Sequence, residues 1–203
     1  MAGGLTDLNT PGGVFSFAMD INAVGQVAGG FSASGGGIRA FITSSNGVGM
    51  TDLGALGGNY SYAFGINAAG RVVGDFEVTH TRAFITGLNG EGIAELDALS
   101  DGFSTATGIN DAGQVVGASF TSERAEGMHA FITGPNGMGI TDLNSWVNLP
   151  DGEVLYKATA INNGGQVVAI SSVSPIPEPA SYALMLAGLG LVSLVAGRKK
   201  LEK

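Results

Sequence analysis

Self-similarity constrains this chain more than any other feature. The nine residues Ile21 to Gly29 (INAVGQVAG) recur at Ile66 to Gly74 (INAAGRVVG) and Ile109 to Gly117 (INDAGQVVG). They recur imperfectly at Ile161 to Ala169 (INNGGQVVA), so the intervals are 45, 43 and 52 residues. Arg39 to Thr43 (RAFIT) is matched by Arg82 to Thr86 and by His129 to Thr133 (HAFIT). Met50 to Leu53 is matched by Ile93 to Leu96 and Ile140 to Leu143. The gap between these last two segments is six residues each time, at 44–49, 87–92 and 134–139. A constant gap implies a constant turn, so the two segments form a hairpin.

Each segment carries β-branched or aromatic residues, such as Val72-Val73 and Phe84-Ile85-Thr86, which favour strands. Asn, Asp and Gly bound them and tolerate the left-handed backbone of tight turns. Asn22 and Gly25, Asn67 and Gly70, Asn110 and Gly113, and Asn162 and Gly165 share one Asn-x-x-Gly spacing. That spacing suits a hairpin whose glycine takes positive φ. One unit then has four short antiparallel strands, the size of a propeller blade, and neighbours cover each other's faces. The expected fold is all-β and β-propeller-like. Three whole units are visible, with Asp7-Leu8 and a final strand pair near Tyr156–Ile161 and Val167–Ile170 as end pieces. These pieces could make a split fourth blade without its Ala-Phe-Ile strand. Four blades is the lower limit for closure, and an open curved array is the alternative.

The segments resemble HAF repeats, named for the His-Ala-Phe kept literally at His129-Ala130-Phe131. The resemblance spans residues 5–171, with repeats at about 21–65, 66–108 and 109–160 and a partial one at 161–171. Arg39 and Arg82 stand where the third repeat has His. HAF-repeat proteins are similar to extracellular β-propellers, and the resemblance implies no enzymatic role.

The C-terminus is of another kind. Residues 172–179 form a Pro-rich linker containing Pro177-Glu178-Pro179, followed by an uncharged run at 180–197 and then Arg198, Lys199 and Lys200. As a helix that run measures roughly 27 Å, close to the thickness of a bilayer's hydrocarbon. The basic cluster behind it suits a cytoplasmic end, which puts the repeats outside. The two prolines fix φ and force an extended, accessible peptide. Together, residues 175–200 resemble the PEP-CTERM sorting signal of Gram-negative bacteria. The resemblance implies recognition by an exosortase-type membrane protease at or near Pro177, Glu178 and Pro179, with inner-membrane anchoring before processing and delivery to the cell surface or extracellular matrix. Met1 to Asp7 has neither the basic region nor the apolar core of a secretory signal, which predicts a truncated or mis-assigned start.

Composition narrows the rest. The chain has 17 acidic and 9 basic residues, a net charge of −8, which argues against nucleic acid. No cysteine is present, so disulfides, thiolate catalysis and Cys-bound zinc are excluded. Asp52, Glu95 and Asp142 align opposite Arg39, Arg82 and His129, which predicts one cross-strand ion pair per repeat. A calcium site at Asp101, Asn110 and Asp111 is disfavoured, because Ala68 and Ala23 replace Asp111 in the matching turns. His80, Glu123 and Glu126 fit no catalytic pattern, and Trp146 is expected to cap the last unit. No catalytic, cofactor or metal site is expected. The expected role is structural or adhesive, with exopolysaccharide as a candidate partner; the alternative is a carbohydrate- or protein-binding module.

Overall fold

The computed structural model describes residues 7–8, 14–54, 56–121 and 127–173. It is all-β. Unit 1 contains β1 (Ser16–Ile21), β2 (Val27–Ser32), β3 (Ile38–Thr43) and β4 (Met50–Gly54). Unit 2 contains β5 (Tyr60–Ile66), β6 (Val72–Glu77), β7 (Thr81–Thr86) and β8 (Ile93–Glu95). Unit 3 contains β9 (Ser104–Ile109), β10 (Val115–Phe120), β11 (Met128–Thr133) and β12 (Ile140–Asp142). Unit 4 is the ribbon of β13 (Glu153–Ile161) and β14 (Val167–Val173). Within every unit, successive strands pair antiparallel. A single parallel bridge, Ile38 to Tyr60, joins units 1 and 2 into one hydrogen-bonded sheet. The structural units therefore begin five or more residues before the Ile-Asn segments, because the strand that leads into each Asn turn belongs to the sheet that follows it.

The units stack face to face, and period two explains how each strand serves both faces. In unit 2, Val72, Phe76 and Phe84 pack backward on Ala28, Ala40, Ile42 and Leu53 of unit 1. The alternate residues Val73, Ala83, Ile85 and Leu96 pack forward on Ala106, Val115 and Phe131 of unit 3. Val116, Ala130, Ile132 and Leu143 do the same with Ala158 of unit 4. The three phenylalanines of the Ala-Phe-Ile strands, Phe41, Phe84 and Phe131, are fully buried. Continuous apolar runs such as Val72-Val73 are thus required by sheets that are covered on both sides.

A β-bulge recurs in the first strand of each unit, between Ala18 and Asp20, Ala63 and Gly65, Ala106 and Gly108, and Ala158 and Ala160. A bulge of this kind leaves one residue out of the ladder and kinks the strand locally, and at Gly74 a Cβ atom would fall on the Tyr62 carbonyl oxygen.

Among the described residues no helix is long and apolar enough to cross a membrane. The expected membrane helix at 180–197, the Pro177-Glu178-Pro179 triplet and the Arg198–Lys200 cluster lie outside the described residues, as do Glu123 and Glu126. Strand β14 runs to Val173, past the expected start of the linker at 172.

Candidate functional site

The repeat turns gather at one end of the stack, where they join the units. In each Asn-x-x-Gly turn the glycine amide donates to the asparagine carbonyl, at 3.0 Å for Asn22, Asn67 and Asn162 and 2.9 Å for Asn110. Gly25, Gly70, Gly113 and Gly165 have φ between +71° and +79°, the left-handed region. Each asparagine also reaches sideways. Asn22 Nδ2 donates to the Asn67 carbonyl at 3.0 Å, Asn67 Nδ2 to the Asn110 carbonyl at 3.1 Å, and Asn110 Nδ2 to the Asn162 carbonyl at 3.2 Å. The result is a polar ladder running across all four units.

A second turn docks on the first, and its signal lay unread in the constant six-residue gap. Asn46, Asn89 and Asn136 take positive φ and each is followed by a glycine that does the same. Asn-Gly in that conformation is a hairpin signature. The Gly47, Gly90 and Gly137 amides donate to the Gly25, Gly70 and Gly113 carbonyls at 2.8, 2.9 and 2.9 Å. Asp111 serves this junction too. Its carboxylate accepts from the Ala68 amide at 2.9 Å and from Asn163 Nδ2 at 2.6 Å, so its oxygens bridge neighbouring turns.

At the opposite end of the strands, the aligned charges pair within each unit. Arg39 meets Asp52 at 2.9 Å and Arg82 meets Glu95 at 2.8 Å, both with substantial solvent exposure. His129 Nδ1 lies 2.6 Å from Asp142 Oδ2 and is largely buried. Burial alone would raise the Asp142 carboxyl, but hydrogen bonds from His129 and from the Asn144 amide and side chain hold it below the usual range. Asn144 continues the link, accepting from the Leu155 amide at 2.8 Å and donating to its carbonyl at 3.0 Å.

This arrangement corrects the expectation for Trp146. The tryptophan is 63% exposed, and the junction with unit 4 is made by buried Leu143 and by Asn144. The short 3-10 turn Leu143–Trp146 buries Leu143 and leaves the indole on the solvent side.

Two further features lie on the described surface. Phe15, Phe17, Tyr62 and Phe64 form a row with ring centroids 6.4, 6.3 and 6.2 Å apart and interplanar angles of 29° or less. Asp75 lies beside it, 2.7 Å from the Thr105 hydroxyl. Burial pushes the Asp75 carboxyl up to about 6, against the opposing pull of the Thr105 hydrogen bond. Burial, and then the Asp75 charge, raise the Tyr62 phenol. Separately, His80, Ser100, Asp101, Phe103 and Phe120 line an open depression of about 890 Å³ between units 2 and 3. His80 is exposed there, with Nδ1 2.6 Å from the neighbouring Thr79 carbonyl oxygen. Among the described residues no group of three or more His, Asp or Glu is placed to hold a metal ion.

Comparison with known proteins places one part of the chain. Residues 175–200 match the PEP-CTERM protein-sorting motif. Such a motif marks an exported protein of Gram-negative bacteria whose C-terminal signal is recognised by exosortase, a membrane protein. No curated protein matches the chain.

Proposed function

We propose that the chain is a structural or adhesive repeat protein of the cell surface or extracellular matrix, delivered there by an exosortase that processes its C-terminal signal. The observation that carries this reading is the sorting motif at 175–200, which starts two residues after the last strand ends at Val173. In sequence, the Pro-Glu-Pro triplet follows the last strand by only a few residues. The apolar run at 180–197 acts as a membrane helix until cleavage, and Arg198, Lys199 and Lys200 hold its end on the cytoplasmic side. In this reading the units are HAF-type blades in an open, propeller-like array, and the chain is a scaffold without enzymatic activity. Exopolysaccharide is the matrix component it would meet. Support for the scaffold role comes from the three junctions, each joined by an apolar cluster and a rung of the asparagine ladder.

The test is made in the native host. Glu178→Ala, or deletion of Arg198 to Lys200, should leave unprocessed protein in the inner membrane, whereas the wild type leaves it. Normal maturation of both variants would overturn the sorting role.

A second reading, a carbohydrate-binding module, is favoured by the aromatic row and by exposed Trp146. Flat apolar rings with an exposed edge suit the apolar faces of sugar rings. Specific signals on a glycan array, lost in Trp146→Ala or Phe15→Ala, would establish it. Signals unchanged by both substitutions would remove it.

A further inference from the structure

We propose that the chain associates head to tail with a second copy of itself, unit 4 of one copy seating on unit 1 of the next. The argument starts from an interface that the chain already builds three times. At each internal junction, a residue of the Val-Val strand meets an alanine of the next unit's first strand in one apolar cluster. The pairs are Ala28 with Ala63, Val73 with Ala106, and Val116 with Ala158, and all six residues are 0% exposed.

The same two positions exist at the ends of the stack, and there they face solvent. Val168 of unit 4 occupies the position of Val73 and Val116 and is 62% exposed. Ala18 of unit 1 occupies the position of Ala63 and Ala106 and is exposed. The polar ladder is open at the same ends. Asn162 Nδ2 donates to Gln166 Oε1 within its own turn, as Asn22 and Asn110 do to Gln26 and Gln114. Those two asparagines also donate to the next unit's Asn carbonyl, and the carbonyl of Asn22 would offer Asn162 that same acceptor.

The strand complement fits as well. Among the described residues unit 4 is a two-stranded ribbon, whereas units 1 to 3 have four strands. Leu8 packs on Val27, Phe31 and Phe41 at the rear of unit 1, as Leu53 packs on Val72, Phe76 and Phe84 at the rear of unit 2. The rear of unit 1 therefore already carries the leucine of a preceding unit's last strand, and a β13–β14 ribbon from another copy would bring that unit's first two strands. The two surfaces are different patches, so the contact is heterologous and generates chains of molecules or closed rings of them.

The chain has no cysteine, which makes the test clean. Full-length Ala18→Cys and Val168→Cys proteins in detergent are treated separately and mixed with a short bis-maleimide. Both positions are exposed, so neither change disturbs the core. The mixture should give a cross-linked dimer that neither variant gives alone, and a double variant should give a ladder of multimers. Sedimentation of the wild type should show mass rising with concentration, and Val168→Asp should return it to monomer. A dimer of either variant alone, an internally bridged monomer from the double variant at every concentration, or a monomeric wild type at high concentration would each overturn the proposal.

Discussion

Asp75 is a buried carboxyl whose ionisation is linked to folding. Its carboxyl is raised to about 6, above the value near 4 expected in the unfolded chain. Between those values the folded state holds a proton that the unfolded state has released. Stability from this group is therefore fully present below about pH 4 and is lost as pH rises through 6, a change of about 3 kcal/mol. Asp75→Asn keeps an acceptor for Thr105 and removes the titration. Urea unfolding should find the variant more stable than wild type at pH 8 and equal to it near pH 4; parallel pH profiles would contradict this. Asp142 has the opposite sign, because its lowered carboxyl contributes stability that disappears as pH falls below the usual carboxylate range. Gly113 is a backbone case. Its φ is +76°, and an added Cβ would stand 2.8 Å from the Asn136 nitrogen. Gly113→Val should cost about 1–3 kcal/mol in the same unfolding experiment. This glycine was legible from the spacing Asn110 to Gly113, since turn chemistry is local. Gly74 was not, because the carbonyl that excludes a side chain there belongs to Tyr62 on the paired strand.

Among elements, the hairpins carry two kinds of polar contact with unequal worth. Asn67 is 4% exposed and holds its own turn, through the Ala69 and Arg71 amides, as well as the next unit. Removing it leaves several buried groups without partners, so Asn67→Ala should cost about 2–3 kcal/mol. Arg82, exposed and paired with Glu95, should cost under about 1 kcal/mol on the same change to alanine. Denaturant midpoints of the two variants, measured together, check the ranking; equal losses would contradict it. The strand segments and the ion-pair alignment were readable because hairpin register is set by a gap of constant length. The ladder was readable only in part. Asn22, Asn67, Asn110 and Asn162 stood out as turn residues, but their reach to the next unit depends on stacking that no single repeat encodes. Trp146 misled for a related reason, since aromatic character alone does not say that Leu143 and Asn144 already fill the junction.

At the scale of the whole molecule, stability is distributed along the stack. Units 2 and 3 are covered on both faces, whereas β1 and β14 each leave apolar residues exposed, among them Met19, Ile21, Val168 and Ile170. In stacked repeats, stability is roughly a sum of unit and junction contributions. Amide exchange should therefore be slowest in β6, β7, β10 and β11 and faster in β1 and β14. Uniform protection from β1 to β14 in dilute protein would contradict an open stack. The arrangement of units was legible from the repeat period, because a sheet that is apolar on both faces needs two neighbours. The fate of the chain was legible from a different source, the order of Pro-Glu-Pro, apolar run and basic cluster at 175–200. That destination is tested most directly by the intact mass of the protein recovered from the surface or medium of its native host. The account predicts a mature chain that ends near Pro177 to Pro179 and lacks the apolar run and Arg198 to Lys203. A surface protein that still carries those residues would contradict it.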